Sequence, residues 1–419
     1  MTALPTSTDV LVVGAGPAGS AAATWLARAG ADVVLVDAAV FPRDKTCGDG
    51  LTPRAIAELS RLGLEDWIRA HAVNQGLRAH GFGQTLELRW PGGNLPDWGS
   101  AVARTELDDH LRTTALKAGA TAVDGLKATD VVRGSDGRIS DVVFADGRSI
   151  ACRRVVVADG VRSPLGKVLG REWHRDTVYG VAGRSYVTSA RSDDPWISSH
   201  LELRDAADET GARALLSGYG WVFPLGTGEV NLGAGTLATA KRPADVAIKP
   251  LMRVYAESIR EEFGLTGELR AQASALLPMG GAVSGVAGPN WVLIGDAAGC
   301  VNPLNGEGID YGLETGRLAA EVLAATPNAS LEALWPELLR GHYGESFAIA
   351  RRLAEVATNP RVVAALGPIG MRSTPLMRLA LRWMGNLVTE EDGDLAARIW
   401  RRAGRVVARR DERPLFGPR

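Results

Sequence analysis

The amino-acid sequence predicts an α/β protein in which a Rossmann-type nucleotide-binding domain is interleaved with an antiparallel β-sheet domain and followed by a helical C-terminal region. Three observations predict this class. A glycine-rich fingerprint follows an apolar strand near the N-terminus, short strands separated by glycine-rich turns fill the middle of the chain, and helical segments dominate after Ile309.

The N-terminal segment has the pattern of a βαβ unit that binds a dinucleotide. An apolar strand beginning at Asp9 enters the fingerprint GAGPAG at residues 14–19, and a helix and a second strand at residues 33–36 follow. The three glycines of such a fingerprint permit the tight turn, the approach of a pyrophosphate and close helix packing. Asp37 ends the second strand, where an acid accepts hydrogen bonds from a ribose. The fingerprint alone does not distinguish NAD from FAD.

A second glycine-rich turn, from Leu293 to Gly316, is expected to form the other half of the binding site for the same ligand. It places Asp296 at a strand end and puts Gly306 and Gly308 before a helix. A carboxylate at a strand end binds hydroxyl groups, and glycine N–H groups at a helix start face a polar ring. The two halves together indicate FAD as the cofactor.

The middle and the end of the chain have different patterns. Residues 177–237 alternate short strands with glycine-rich or charged turns, including a hairpin at residues 226–228, and residues 253–263 are expected to be helical. After Ile309 we expect helices broken by prolines, namely Pro327, Pro336, Pro360, Pro368 and Pro375. We therefore predict a discontinuous FAD-binding domain at 1–75, 100–170 and 285–325, a substrate-binding sheet domain at 76–99 and 171–284, and a helical region at 326–419.

Composition excludes several classes of function. The 419 residues are 46% hydrophobic and 23% charged, with a net charge of −1, so no global field attracts nucleic acid. The three cysteines are too few and too widely separated for a disulfide scaffold or a cysteine-rich zinc site, which favours a reducing compartment. No apolar run approaches about 18 residues, so we expect no signal peptide and no transmembrane helix. We also expect no bound metal.

Two further positions are candidates for contact with the cofactor. Arg104 opens a helix from which its guanidinium would reach the pyrophosphate or the flavin edge, and the alternative is a solvated arginine on the helix surface. Asp159 follows an apolar strand and precedes Gly160, which repeats the strand, acid and glycine order of the fingerprint. The alternative for Asp159 is a plain turn.

From Asp9 to Arg317 these motifs resemble the FAD-dependent aromatic hydroxylases and their relatives. The stretches CGDG at residues 47–50 and YGWVFP at residues 219–224 are similar to the geranylgeranyl reductase branch, and the second matches its Tyr-x-Trp-x-Phe-Pro signature. Residues 41–54, residues 278–284 and the second glycine-rich turn resemble bacterial menaquinone reductases, and this resemblance spans nearly the whole chain. It implies a hydroxylase-like FAD domain and saturation of one isoprene unit in a quinone tail.

Two departures from the hydroxylase pattern concern the source of electrons. The position after Asp296-Ala-Ala, often histidine in hydroxylases, is Gly299, and the arginine that commonly closes their Asp-Gly motif is replaced by Gly166, with Lys167 next. These differences, and the lack of a second dinucleotide fingerprint, argue against direct use of NADPH. The sequence therefore does not identify the external electron donor.

Reduction of an isolated alkene needs a proton donor as well as a hydride, because no carbonyl group polarises the double bond. We predict Cys47 as the proton donor and the N5 atom of reduced FAD as the hydride source, with Gly48 and Gly50 allowing the loop to approach a flat ring. A thiol with a reference pKa of about 8.5 is only a weak acid. The alternative is a small buried thiol with a packing role.

The aromatic motif is a candidate substrate wall. Strand alternation sends Tyr219, Trp221 and Phe223 to one face, followed by Pro224. Such a face lines a tunnel for a polyprenyl chain, and its π faces stabilise positive charge at the alkene. The alternative is a sheet packing on its own core.

The C-terminal helices are candidates for contact with a membrane. Arg378, Arg382 and Asn386 form a narrow stripe on an otherwise apolar helix, which predicts a helix that is buried nearly all round or lies in lipid. A cluster of arginines follows, which suits an anionic leaflet at about 1 kcal/mol for each residue, or alternatively a solvated helix with salt bridges. The cluster comprises Arg398, Arg401, Arg402, Arg405, Arg409 and Arg410.

We predict an FAD-dependent reductase that saturates a C=C bond in the polyprenyl side chain of menaquinone, bound peripherally at the cytoplasmic side of the cell membrane. The alternatives are a reductase of geranylgeranyl lipids or geranylgeranyl diphosphate, an FAD-dependent hydroxylase or halogenase, and a non-catalytic lipid carrier or flavin sensor. We predict Tyr219, Trp221, Phe223 and Pro224 at the substrate and Cys47 as catalytic. The predicted cofactor-binding residues are Gly14, Ala15, Gly16, Pro17, Ala18, Gly19, Asp37, Cys47, Gly48, Asp49, Gly50, Arg104, Asp159, Asp296, Gly306, Gly308 and Ile309.

Overall fold

The computed structural model describes residues 4–207, 211–244, 246–411 and 414–417. Within these residues the strands form two large sheets and three small ones. In chain order the strands are β1 (Ser7–Val13), β2 (Val33–Val36), β3 (Gly50–Leu51), β4 (Ala72–Asn74), β5 (Gly76–Gly81), β6 (Gln84–Arg89), β7 (Gly99–Ala101), β8 (Thr121–Val123), β9 (Ala128–Arg133), β10 (Ile139–Phe144), β11 (Ser149–Val157), β12 (Glu172–Trp173), β13 (Tyr179–Ser189), β14 (Ile197–His200), β15 (Arg204–Ala207), β16 (Arg213–Leu215), β17 (Gly218–Pro224), β18 (Glu229–Ala238), β19 (Leu265–Pro278), β20 (Val283–Ser284) and β21 (Trp291–Leu293).

The helices flank the sheets and make up most of the C-terminal part of the described chain. In chain order they are α1 (Pro17–Arg28), α2 (Pro53–Arg61), α3 (Glu65–Arg69), α4 (Arg104–Lys117), α5 (Pro164–Val168), α6 (Ile248–Ser258), α7 (Ile309–Ala325), α8 (Leu334–Ala357), α9 (Pro360–Met371), α10 (Thr374–Met384) and α11 (Leu395–Arg410). A 3₁₀ turn, Gly295–Ala298, follows β21.

The first large sheet holds the two glycine-rich turns. Its strand order is β8-β2-β1-β11-β10-β9, with β21 beside β11. Strands β1, β2, β8, β11 and β21 run parallel, whereas β9 and β10 are antiparallel to their neighbours. Strands β2 and β21 and the carboxyl-terminal ends of β1 and β11 are continuous buried apolar runs, as expected when both faces of a sheet are covered. Both turns therefore leave this sheet at the carboxyl ends of parallel strands, where ligands bind in such folds.

The second large sheet is built from the middle of the chain. Its order is β19-β13-β18-β17-β14-β5-β6, and α6 packs on one face. The predicted antiparallel arrangement describes most of it, but β5 and β14 pair in parallel. Strand β5 arrives from an early segment of the chain and joins an open edge, so no hairpin determines its direction. The two large sheets are thus interleaved along the chain, and the predicted α/β class is confirmed.

Two local expectations need correction. Helix α6 begins five residues earlier than the predicted start at Arg253 and ends at Ser258, because Ile248, Leu251 and Met252 pack into the core of the second sheet. Pro336 and Pro368 lie inside α8 and α9 and do not end them. Pro336 falls in the first turn of α8, where a missing N–H costs no hydrogen bond.

Helix α10 does not have the surroundings expected from its sequence. Leu381 is its only buried residue, so the helix is not buried nearly all round, although it contacts β6, α9 and Trp400 of α11. Arg382 pairs with Asp394, at 2.6 Å from Nη2 to Oδ2, and Asn386 lies beyond the helix end with positive φ. No helix among the described residues is long and apolar enough to cross a membrane.

Candidate active site

A cavity of about 1080 Å³ extends between the two large sheets and the C-terminal helices. One end is lined by the fingerprint and the loop before α7, and the other by apolar side chains of α8, α9 and α10. Most of the predicted site residues line this cavity. The exceptions are Ala15, Gly19 and Pro224, which lie outside its lining.

The fingerprint has the geometry that its glycines require. Gly14 has φ of 106°, and a Cβ there would lie 2.3 Å from the carbonyl oxygen of Ala158. A Cβ at Gly19 would lie 1.7 Å from the carbonyl oxygen of Gly14, so a side chain at either position would separate α1 from the sheet. The Oδ2 atom of Asp37 accepts a hydrogen bond of 2.7 Å from the backbone N–H of Ala15. The carboxylate is therefore held beside the fingerprint.

Two arginines lie against the fingerprint. Arg104 donates to Asp108 through Nε at 2.6 Å and Nη2 at 2.7 Å, and Arg43 Nη1 lies 2.8 Å from the same carboxylate. Arg104 is only 6% exposed, which rules out the solvated alternative. A Cβ on Gly16 would lie 3.4 Å from Arg43 and 3.9 Å from Arg104. The positive charge and the N-terminus of α1 thus fit a diphosphate.

The second glycine-rich turn completes this end of the cavity. Gly306 has φ of 76°, and Gly308 precedes the first residue of α7, Ile309, which is buried. Asp296 lies in the 3₁₀ turn, 3.9 Å from Lys45, and a Cβ on Gly308 would lie 2.9 Å from its carboxylate. This turn therefore allows close approach to a ligand held by the fingerprint.

Asp159 lines the cavity, but its carboxylate is engaged by its own turn. Oδ1 accepts a hydrogen bond from Ser163 at 2.5 Å, and Oδ2 accepts one from the backbone N–H of Leu165 at 2.9 Å. Burial raises the pKa of Asp159, and these hydrogen bonds oppose the rise. A structural role in the turn is thus visible, and cofactor contact stays a prediction.

The CGDG loop is held by hydrogen bonds from the second sheet. Asp49 is fully buried with φ of 64°, and its Oδ2 accepts from Tyr186 Oη at 2.7 Å and from Asn231 Nδ2 at 2.8 Å. Asn231 also donates to the carbonyl oxygen of Cys47 and accepts from Trp221 Nε1. We call Cys47, Asp49, Tyr186, Trp221 and Asn231 the Cys47 network. Its hydrogen bonds turn the Asp49 carboxylate towards Tyr186 and Asn231 of the second sheet.

Burial and nearby charges determine the acidity of this network. Burial raises the pKa of Asp49 to about 6, although the hydrogen bonds from Asn231 and Tyr186 oppose the rise. Burial also raises the pKa of Cys47, while the adjacent guanidinium of Arg104 opposes it. The thiol therefore keeps its proton at neutral pH, and a thiolate formed there would have a cation beside it.

The aromatic motif forms a continuous wall opposite the loop. The ring centroids of Tyr219 and Trp221 are 5.9 Å apart, and those of Trp221 and Phe223 are 6.3 Å apart. A Cβ on Gly50 would lie 2.9 Å from the Phe223 ring, so the glycine permits contact between loop and wall. Pro224 ends β17 paired with Val230. The three aromatic side chains thus face the cavity, and the proline does not.

The far end of the cavity is apolar and open to solvent. Its mouth is lined by side chains that are each at least 40% exposed. We call this set the apolar rim; it comprises Leu353, Val356, Leu366, Leu376 and Met384. Within α9 only Met371 is buried, although the helix carries a single charged residue, Arg361.

Sequence reasoning missed several residues of this site. Tyr186 and Asn231 come from segments without a recognisable motif, so only the packing of the sheets reveals them. Arg43 lies in residues 41–54, which carry part of the family resemblance, but its place beside Arg104 depends on tertiary packing. Glu307 and Asp310 had a visible signal, because they flank the helix start that follows Gly306.

Known proteins share this architecture. A family model for an FAD binding domain matches residues 7–231. The chain is 60% identical to a menaquinone reductase of Mycolicibacterium smegmatis, over 98% of this chain and 99% of that protein. It is 29% identical to digeranylgeranylglycerophospholipid reductase 1 of Methanopyrus kandleri, over 83% of this chain and 90% of that protein. A solved geranylgeranyl bacteriochlorophyll reductase-like protein of Thermoplasma acidophilum, 20% identical, superposes with a TM-score of 0.75, covering 90% of this chain and 96% of that one.

Proposed function

The chain belongs to the menaquinone reductase family of FAD-dependent oxidoreductases, and from this premise we propose that it saturates a C=C bond in the polyprenyl tail of menaquinone. One observation carries the proposal. A single cavity joins a dinucleotide cradle at one end to an apolar channel at the other. FAD would fit the end lined by the fingerprint, and an isoprenoid chain would fit the apolar channel.

The residues present fit FAD. The glycine turn leaves room for a diphosphate, the N-terminus of α1 and two arginines supply positive charge, and Asp37 offers carboxylate oxygens to a ribose. The turn before α7 provides a second set of backbone N–H groups near the CGDG loop. When bound and reduced, FAD supplies a hydride.

The apolar channel suits a substrate without polar groups. From the aromatic wall to the apolar rim its lining is dominated by aliphatic side chains and glycines, so a prenyl tail exchanges water for apolar contacts along its length. The aromatic faces of Tyr219, Trp221 and Phe223 also attract positive charge that develops at the alkene. These residues therefore bind the tail and exclude water from it.

Cys47 is the proposed proton donor. Its thiol lines the cavity and carries its proton at neutral pH, because burial raises its pKa. The S–H bond breaks as the proton moves to the alkene carbon, and Arg104 lies beside the resulting thiolate. Asp49 positions the loop through Tyr186 and Asn231.

We place the contact with the membrane at α9 and α10. Leu366 and Ile369 are 60% and 62% exposed, and Leu366 also lines the cavity mouth. A bilayer surface would cover these side chains and deliver a membrane-bound tail directly to the channel. In the arginine cluster of α11, Arg401 donates to the carbonyl of Thr389 and Arg405 pairs with Glu345, while the other four arginines are exposed.

The test uses the purified protein with bound FAD. The protein is reduced chemically without oxygen and mixed with menaquinone in phospholipid vesicles, and the extracted quinones are analysed by mass spectrometry. We expect a tail that has gained two hydrogen atoms. A geranylgeranyl phospholipid is offered in parallel; its preferential reduction, or turnover only in the presence of oxygen, would contradict the proposed substrate or reaction.

A further inference from the structure

A row of acidic side chains follows one face of α7, starting at the cavity. Asp310 and Glu314 are four residues apart on α7, which places their side chains on the same side of the helix, and Glu307 lies in the turn just before it. Arg317 and Glu321 continue the same spacing towards solvent. The row therefore leads from the substrate cavity to the surface.

Glu307 is the inner end of the row. It lines the cavity, and its Oε1 accepts a hydrogen bond from the hydroxyl of Thr52, which follows the CGDG loop in the chain. Asn305 donates weakly to Oε2 at 3.5 Å, and burial raises the pKa of Glu307. The pKa of Glu307, about 7, lets this side chain both hold and release a proton near neutral pH in the cavity that it shares with Cys47.

Asp310 lies behind Glu307 and is fully buried. No side chain among the described residues hydrogen-bonds its carboxylate oxygens. Burial raises its pKa well above the ordinary range and the nearby charge of Glu307 adds to the rise, while Arg54 and the backbone N–H of Tyr311 oppose it. A buried carboxyl without a side-chain partner is costly to ionise, so Asp310 holds its proton well above the ordinary carboxyl range.

The outer end of the row reaches solvent. Glu314 lies 3.5 Å from Arg54 and accepts from Tyr343 Oη at 3.1 Å. Arg317 lies 3.9 Å from Glu314 and 2.8 Å from the exposed Glu321. Other buried titratable groups face the pair, namely Tyr311 on α7 itself, Cys300 in the turn before α7, and Tyr219 on β17. Arg54 brings positive charge to the inner pair.

The reaction itself creates a need for this row. Each saturated bond removes one proton from Cys47, and the thiolate that remains faces a channel designed to exclude water. We propose that Glu307 returns a proton to Cys47 after each turnover and that Asp310 replaces the proton that Glu307 gives up. The O–H bond of Glu307 breaks as the S–H bond of Cys47 forms, and solvent restores Asp310 through Glu314. This proposal rests on the reductase function proposed above.

The test separates the first turnover from later ones. In Glu307→Gln the thiol of Cys47 still carries one proton, so we expect a first turnover within about twofold of wild type and steady-state turnover lower by about tenfold or more. Glu307→Asp should restore part of the later turnovers. Glu337→Gln, which removes an exposed acid on α8, is the control and should match wild type.

A spectroscopic measurement tests the same carboxyl without turnover. Infrared titration of the purified protein should show a protonated carboxyl band that persists well above the ordinary carboxyl range and is weaker in Glu307→Gln. Equal steady-state turnover of Glu307→Gln beside an active wild type, or an unchanged band, would overturn the proton role alone. A wild type that leaves the menaquinone tail unsaturated would overturn the proposed function and this role with it.

Discussion

The Cys47 network and the apolar rim lie at opposite ends of one cavity and are built by opposite means. In the network, buried polar atoms hold one another in specific hydrogen bonds, and glycines allow backbone and rings to touch. In the rim, aliphatic side chains on α8, α9 and α10 have few partners and remain exposed. The network is held together by directional hydrogen bonds, whereas the rim exposes apolar side chains to solvent.

The two regions suit two different tasks, proton transfer at the Cys47 network and entry of the tail at the apolar rim. Proton transfer requires atoms fixed within a few tenths of an ångström, which hydrogen bonds among buried groups provide. Admission of a long flexible tail requires an apolar entrance whose covering can part or be replaced by lipid. Variants of the two regions should therefore fail in different measurements.

The largest effect is expected from Cys47→Ala. If Cys47 is the proton donor, its loss should slow tail reduction by about 100-fold or more, while FAD stays bound because the fingerprint is untouched. Turnover by mass spectrometry and the absorbance of bound FAD measure the two properties. Cys152→Ala, which changes a buried thiol of the first sheet, is the control; equal activity of both variants would remove Cys47 from the reaction.

A charged α9 should impair membrane binding rather than chemistry. Leu366→Glu combined with Ile369→Glu should lower binding to vesicles by about tenfold or more, because each inserted side chain contributes about 1.5–3 kcal/mol. Sedimentation with vesicles measures this binding. Val132→Glu alters a side chain of similar exposure, 48%, on β9, and should bind as wild type does. Unchanged binding of the α9 variant would place the contact elsewhere.

Tyr186→Phe should weaken the Cys47 network moderately. It removes one of the two hydrogen bonds to Asp49 Oδ2, which is expected to lower the free energy of unfolding by about 1–2 kcal/mol. Denaturant unfolding gives this value, and Tyr179→Phe on the same strand is the control. If both variants unfold alike, the hydrogen bond contributes no stability to the loop.

The smallest effect is expected from Asp310→Asn, and it depends on pH. Burial raises the pKa of Asp310 in the folded protein above its value of about 3.9 in the unfolded chain, so its contribution to stability is lost as the pH rises. An amide has no proton to lose. The variant should therefore gain about 1–3 °C in Tm relative to wild type between about pH 4 and about pH 8. Asp97→Asn, an exposed loop acid, should show no such trend, and a parallel trend in both would contradict the buried-acid interpretation.

Much of the fold followed from local patterns. The glycine spacing at residues 14–19 and the apolar strands around it allow one arrangement only, because a side chain at Gly14 or Gly19 would collide with backbone. The aromatic alternation of β17 likewise predicted which face meets the cavity. The parallel pairing of β5 with β14 had no such signal, since strands far apart in sequence choose partners through tertiary packing.

The sequence by itself determined the cofactor cradle, the CGDG loop and the aromatic wall, because each depends on residues that are neighbours in the chain. Only the tertiary structure decided that Tyr186 and Asn231 hold Asp49, that Arg43 joins Arg104 at the fingerprint and that α9 is left uncovered. These contacts join segments about sixty residues or more apart in the chain, and the exposure of α9 depends on what does not pack against it. Burial and charge pairing are properties of the assembled fold, and no local pattern records them.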